Sequence, residues 1–230
     1  MSTYEHIFFD LDHTLWDFSA NCAETLTDLY ERHQLHRLDI PLPEFITHYR
    51  QINDSMWDDL HKGRVTIEEV RNLRFAHTFK LFGLDASHVP AGLDEQFISL
   101  CPTKSNVFPH THVVLDYLSE KYVLHILTNG FRETQRTKLQ SAKLDHYFEH
   151  VIHADESGYM KPDKRMFDYA LQTAGIQTHQ CIMIGDDLYA DVLGAKNIGM
   201  DHVFVNRLGT KHTELLTYEI DCLSTLKTFL

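Results

Sequence analysis

Five short apolar runs, over residues 6–9, 123–127, 151–153, 181–184 and 202–205, constrain this 230-residue chain more than any other feature. Each reads as a buried β-strand. From the second onward they alternate with helical patterns over residues 132–144, 163–174 and 190–198. Strand–helix alternation requires right-handed crossovers and a parallel sheet covered on both faces, so the predicted fold class is α/β.

Residues 17–100 break the alternation, because they contain almost no strand-like segment. Helical spacing runs over 20–33 and, past Pro43, over 41–57. A capping box opens at Thr66, three residues before Glu69, and predicts one helix over 66–82. A further helix is predicted over 93–100, ended by Pro102. The expected organisation is a core of residues 1–16 and 101–230 with an all-helical insert over 17–100.

Composition excludes some classes. A net charge of −12 argues against a nucleic-acid polymer as partner, since such surfaces need basic patches that displace counterions. No apolar run approaches the roughly 18–20 residues of a membrane span, so no membrane partner is expected. Four widely spaced cysteines without a CxxC pair, and no visible signal peptide, predict a cytoplasmic protein with reduced thiols.

The chemistry sits where the runs end. The first stops at Asp10-Leu11-Asp12-His13-Thr14, the second at Thr128-Asn129-Gly130. Met160-Lys161-Pro162-Asp163 puts a lysine just ahead of a helix start, and Gly185-Asp186-Asp187-Leu188-Tyr189-Ala190-Asp191 opens into three acids. In open α/β sheets ligands bind outside the carboxyl ends of the strands. Acids from two strand ends offer the hard oxygen ligands that Mg²⁺ prefers. Lys161, Thr128 and a backbone turning into a helix suit the oxygens of a phosphoryl group. Two carboxylates one residue apart suit a nucleophile and a proton shuttle, which splits hydrolysis of a phosphate ester into two steps.

These four motifs, in this order and with the helical insert after the first, resemble those of the haloacid dehalogenase (HAD) superfamily with a type-1 cap. The resemblance spans nearly the whole chain and implies a Rossmann-like core under a helical cap. It implies Asp10 as nucleophile and Asp12 as general acid/base. Thr128, Asn129 and Gly130 would bind the substrate phosphate, with Lys161 stabilising both Asp10 and the phosphate. Mg²⁺ would sit on Asp10, Asp186 and the main-chain carbonyl of Asp12. Asp187 and Asp191 would act as supporting acids, through water or by orienting Lys161; the family's fourth motif often reads Gly-Asp-Ser, so Asp187 is a departure.

Asp12 narrows the reaction. Dehalogenases of this superfamily resemble the chain but lack the second aspartate, so its presence favours a Mg²⁺-dependent phosphomonoesterase, with a phosphomutase as the alternative that also keeps it. Most relatives carry glycine where His13 stands. His13-Thr14-Leu15-Trp16-Asp17-Phe18, with Trp57 and Gly63-Arg64-Val65-Thr66, resembles the pyrimidine 5′-nucleotidase branch, whose substrates are nucleoside monophosphates such as UMP, dUMP and dTMP. A small phosphorylated substrate is therefore expected, with sugar phosphates and phosphoglycolate as alternatives. Trp16, Phe18 and Trp57 are expected to pack rather than stack on a base. A receiver-like phosphoacceptor module shares the aspartate, acid cluster, threonine and lysine. It is about half this length, though, and has neither the insert nor a counterpart of Asp12.

Overall fold

The computed structural model describes residues 4–230. By its internal contacts the chain divides into two compact units, one holding the chain up to Phe18 and from Ser105 to Leu230, the other Ser19–Lys104.

In chain order the elements are β1 (His6–Phe9), α1 (Phe18–Arg32), α2 (Leu42–His61), α3 (Ile67–Asn72), α4 (Arg74–Leu81), α5 (Leu93–Leu100), α6 (Thr111–Ser119), β2 (Val123–Thr128), α7 (Arg132–Ser141), β3 (Phe148–His153), α8 (Ala154–Ser157), α9 (Lys164–Ala174), β4 (Cys181–Gly185), α10 (Gly194–Asn197), β5 (Asp201–Val205) and β6 (Tyr218–Ile220). The six strands form one sheet in the order β3-β2-β1-β4-β5-β6, every pairing parallel. The strand order reverses at β1, flanked by β2 and β4, so the crevice that such a switch creates opens at the carboxyl ends of these three strands. Phe9 pairs with both Ile126 and Ile184, which leaves Asp10 as the first residue beyond the paired rows.

The sheet is apolar because it is covered. Phe8, Leu127 and Met183 are fully buried against Met166, Phe167 and Ala170 of α9 and Ala195 of α10. Burying a side chain such as Phe8 contributes about 1.5–3 kcal/mol. The sixth strand, β6, escapes the sequence pattern. It is three residues long and alternates in burial, as a short edge strand does.

The helical unit holds a cluster of aromatic rings: Phe45, Tyr49, Phe75, Phe79 and Phe97 are all buried. The capping box forms as expected, with the Glu69 N–H donating to Thr66 Oγ1 (3.2 Å) and the Thr66 N–H to Glu69 Oε2 (2.7 Å). The single helix expected over 66–82 is instead two, separated at Leu73. The break precedes Arg74, a buried arginine that donates to Asn53 Oδ1 (3.1 Å) and lies 5.2 Å from the Phe97 ring centroid. Likewise, the helix expected over 190–198 begins as a π-helical turn, Leu188–Leu193, before α10. All four cysteines are free.

One buried group carries a pH prediction. His125 on β2 is fully buried, its Nε2 is 3.0 Å from His6 Nδ1, and its own Nδ1 has no partner. Burial, with His6 and His150 adding to it, pushes its pKa down from 6.5 to about 3. The folded state therefore binds that proton more weakly than the unfolded chain. Its contribution to stability is complete above pH 6.5 and is lost as pH falls towards about 3. His125→Leu should lose about 1–2 kcal/mol less stability than wild type between about pH 6.5 and 4.5, allowing for solvent screening. Urea unfolding at the two pH values checks this, and parallel losses would contradict it.

Candidate active site

The first motif leaves β1 and closes on itself. The Asp10 N–H donates to the Ile184 carbonyl (2.9 Å), and the N–H groups of Leu15 and Trp16 both donate to the Leu11 carbonyl (3.0 and 2.9 Å). The turn needs His13 at φ +62°, in the left-handed region where glycine is at ease and other residues are strained. That is a backbone reason for the glycine expected at this position, and here a histidine meets it. Arg207, just beyond β5, clamps the turn from outside. Its Nη1 donates to the His13 carbonyl (2.7 Å) and its Nη2 to the Thr14 carbonyl (2.8 Å), while its guanidinium lies 3.8 Å from the Phe108 ring centroid.

Thr14 ties this turn to the fourth motif. Its hydroxyl donates to Asp186 Oδ1 (3.0 Å) and accepts from the Asp186 N–H (3.1 Å). Next along, Asp187 caps the π-helical turn, its Oδ1 accepting from the N–H groups of Tyr189 and Ala190 (both 2.8 Å). The side chain of Asp191 swings back so that its Oδ2 accepts from the Asp187 N–H (3.1 Å). Its carboxylate lies against Gly185, where a Cβ would collide with it, so this strand end has room only for glycine.

Lys161 is the centre of the arrangement, its side chain 2% exposed. Nζ donates to Asp10 Oδ1 (2.7 Å), Asp191 Oδ1 (2.6 Å) and the Leu127 carbonyl (2.6 Å), which uses all three of its protons. Asn129 places the lysine: its Oδ1 accepts from the Lys161 N–H (2.7 Å) and its Nδ2 donates to the Lys161 carbonyl (3.0 Å). Its side-chain amide is therefore occupied in positioning Lys161. Thr128 Oγ1 accepts from the Gly130 N–H (3.1 Å) and from Gln135 Nε2 (2.7 Å), an arrangement that directs its own proton elsewhere.

The electrostatics follow from crowding. Carboxylate oxygens of Asp10, Asp186 and Asp191 lie within 4.8 Å of one another. Burial raises the pKa of Asp10 despite the opposing pull of Lys161, with Asp12 adding to the rise. Asp186 is held well above the usual carboxylate range by burial and then by Asp10 and Asp191. Burial and its acidic neighbours, against Lys161, push Asp191 up to about 7. Burial works against the charge on Lys161, but Asp10 and Asp191 outweigh it and raise its pKa. One ammonium among three carboxylates, two buried and one half-buried, leaves surplus negative charge on hard oxygen donors, and such a donor set fits a divalent cation of the Mg²⁺ type. Asp10 and Asp186 can turn oxygens to a cation. Both oxygens of Asp191 already accept from Lys161 and the Asp187 N–H, so its part here is to orient the lysine.

Asp12 stands apart from this cluster. Lys138 Nζ donates to both its oxygens (2.7 Å each), and Gln135 Nε2 to Oδ2 (2.9 Å). Burial alone would raise its pKa, but Lys138 and Gln135 lower it below the ordinary value. Gln135 thus bridges Asp12 to Thr128, and its side chain packs against Gly130, where a Cβ would force it to shift. Trp16 is fully buried beneath the Lys138 ammonium, 4.7 Å from the ring centroid, so it packs and cannot stack on a base.

Three residues here lie outside the sequence expectations: Gln135, Lys138 and Arg207. The first two stand three apart on α7, one helical turn, directly after the Thr128-Asn129-Gly130 motif. That spacing puts both on one face of the helix, but it does not mark them as site residues. For Arg207, nothing local marks it.

The haloacid dehalogenase-like hydrolase family model matches residues 4–199. The pyrimidine 5′-nucleotidase PynA of Streptococcus pneumoniae is 30% identical over 221 residues, 94% of this chain and 91% of its own. A glyceraldehyde 3-phosphate phosphatase of Pyrococcus abyssi is 32% identical over 204 residues, 86% of this chain and 79% of its own. The magnesium-bound structure of the HAD-hydrolase YfnB from Bacillus subtilis superposes with a TM-score of 0.87 at 28% identity, covering 98% of this chain and 97% of that one. The six-stranded parallel sheet, the acids and lysine at its carboxyl edge and these likenesses agree: the chain belongs to the haloacid dehalogenase-like hydrolase family and is a phosphatase of that family.

Proposed function

We propose that this phosphatase hydrolyses pyrimidine nucleoside 5′-monophosphates through a phospho-Asp10 intermediate. The observation that carries the mechanism is the pairing of Asp10, fixed by Lys161 beside the acid cluster, with a separate carboxylate, Asp12, that the cluster does not consume. An oxygen of Asp10 attacks phosphorus and the ester P–O bond breaks. The leaving oxygen takes its electron pair and the proton of Asp12. Water then attacks the phosphorus of phospho-Asp10 and gives a proton to Asp12, which releases inorganic phosphate and restores both carboxyls. Lys138 favours the ionised form of Asp12 that serves as base in this second step, so the proton used in the first is taken up before the ester bond breaks.

Asp10, Asp186 and the main-chain carbonyl of Asp12 would hold Mg²⁺, which when bound offsets the charge on the phosphoryl oxygens. The Thr128 hydroxyl binds the phosphate, while the Gly130 N–H, which donates to Thr128 Oγ1, and the Asn129 amide, which holds Lys161, support it. Lys161, its protons already committed, contributes charge and the orientation of Asp10. The helical unit serves as the cap that selects the substrate. Pyrimidine specificity rests on the run from His13 to Phe18 and on the likeness to PynA. The likeness to the Pyrococcus enzyme supports a triose phosphate as the second reading.

A phosphate-release panel with Mg²⁺ tests this. UMP and dTMP should show the highest kcat/KM among nucleotides, sugar phosphates, phosphoglycolate and glyceraldehyde 3-phosphate. A sugar or triose phosphate turned over far faster would sink the nucleotidase reading and leave the phosphatase standing. Asp12→Asn should slow turnover by about 10²–10⁴-fold, the usual range for a lost general acid/base, with Mg²⁺ binding kept.

A further inference from the structure

Lysine is seldom buried, yet the Lys138 side chain is only 7% exposed. Its ammonium sits 4.7 Å from the Trp16 ring centroid and 5.9 Å from that of Phe18, and it meets both oxygens of Asp12 at 2.7 Å. Gln135 turns its Nε2 to Asp12 and Thr128 even though its Oε1 is then buried with no partner. A side chain that leaves its own acceptor unsatisfied is held by what its donor does. Asp12 keeps a quarter of its side chain exposed (25%), while the lysine behind it does not. The carboxylate is gripped from one side and open on another.

We propose that Lys138, packed over Trp16 and Phe18 and joined by Gln135 on the same carboxylate, is a positioning residue that docks the Asp12 carboxylate in the orientation from which it serves the leaving oxygen. This rests on the acid/base role given to Asp12 above. Lys138 touches neither the acid cluster nor Asp10, so it acts on the reaction through Asp12 alone.

Leaving-group dependence separates this role from a purely structural ion pair. Phenyl phosphate needs its departing oxygen protonated, whereas 2,4-dinitrophenyl phosphate releases a weakly basic anion that does not. With Mg²⁺ present, Lys138→Met should lower kcat/KM for phenyl phosphate by about 10²-fold and for the dinitrophenyl ester by less than about 3-fold. Lys138→Arg, which can still reach both oxygens, should recover most of the loss. Lys138→Gln keeps a donor near Asp12 without an apolar gap and is assayed alongside, with thermal unfolding of every variant as the fold control.

Equal losses on both esters, or no loss, would overturn the proposal, and so would failure of every variant to fold, which would make Lys138 a residue of the core. Asp12→Asn separates the levels. If it discriminates between the esters and the Lys138 variants do not, the docking role alone is wrong. If Asp12→Asn does not discriminate either, the acid role of Asp12 fails and the docking role with it.

Discussion

Asp10→Asn should reduce phosphate release by about 10⁴-fold or more, the scale on which loss of a covalent nucleophile is felt. The carboxamide keeps the shape of the side chain and an oxygen that accepts from Lys161, so the change is one of reactivity. An amide oxygen is a poor nucleophile towards phosphorus, and no neighbour is placed to replace it. Asp186 is bound by Thr14, and both oxygens of Asp191 are occupied. Phosphate-release kinetics with a melting curve checks this, since an unchanged melting transition separates lost chemistry from lost fold. Turnover within about tenfold of wild type would contradict the assignment.

The second large effect falls on Lys161, where stability and activity are joined. Lys161→Met would strand the buried carboxylates of Asp10 and Asp191 and leave the Leu127 carbonyl without its donor. Breaking a buried ion pair from one side costs about 3–5 kcal/mol, because the abandoned charges stay behind. Here two are abandoned, and both already carry raised pKa values from burial. The metal-free variant should therefore unfold at distinctly lower denaturant than wild type, and Mg²⁺ should recover part of the difference by taking the place of the lost charge. Turnover should drop by about 10²–10³-fold, the scale seen when one preorganised electrostatic contact is removed. Denaturant titrations with and without Mg²⁺ read the first effect. A change below about 1 kcal/mol would show that the ammonium does not hold the site together.

Much of this was legible in the chain, for a physical reason. A parallel sheet gathers the carboxyl ends of its strands on one edge, so Asp10, Thr128 and Asp186, each at a strand end, had to meet there once the strands were read. The bounds of β1 and α5 coincide with those read from the sequence, because burial marks the strand and Gly92 and Pro102 bracket the helix. Where the pattern failed, a specific contact won. Arg74 turns into the core at the point where one expected helix became two. Asp187 read as a supporting acid, and its side chain caps the helical turn that carries Asp191, the partner of Lys161.

The environment of Asp12 was the least legible. Gln135 and Lys138 look like solvated residues on a polar helix until α7 docks against the first motif, 123 and 126 residues away in sequence. Arg207 reaches back 194 and 193 residues to the carbonyls of His13 and Thr14. Pairings of that kind come from topology, and no local pattern encodes them.

In the proposed mechanism Asp10 carries the phosphoryl group, and trapping that group is the most direct test. Wild-type enzyme with Mg²⁺ and UMP, or another ester it turns over, is acid-quenched within a single turnover, digested and measured by mass spectrometry. One phosphoryl group should appear on the peptide containing Asp10, at Asp10 itself, and should be absent from Asp10→Asn. A phosphoryl group on any other residue, or rapid phosphate release with none trapped at any time point, would contradict it.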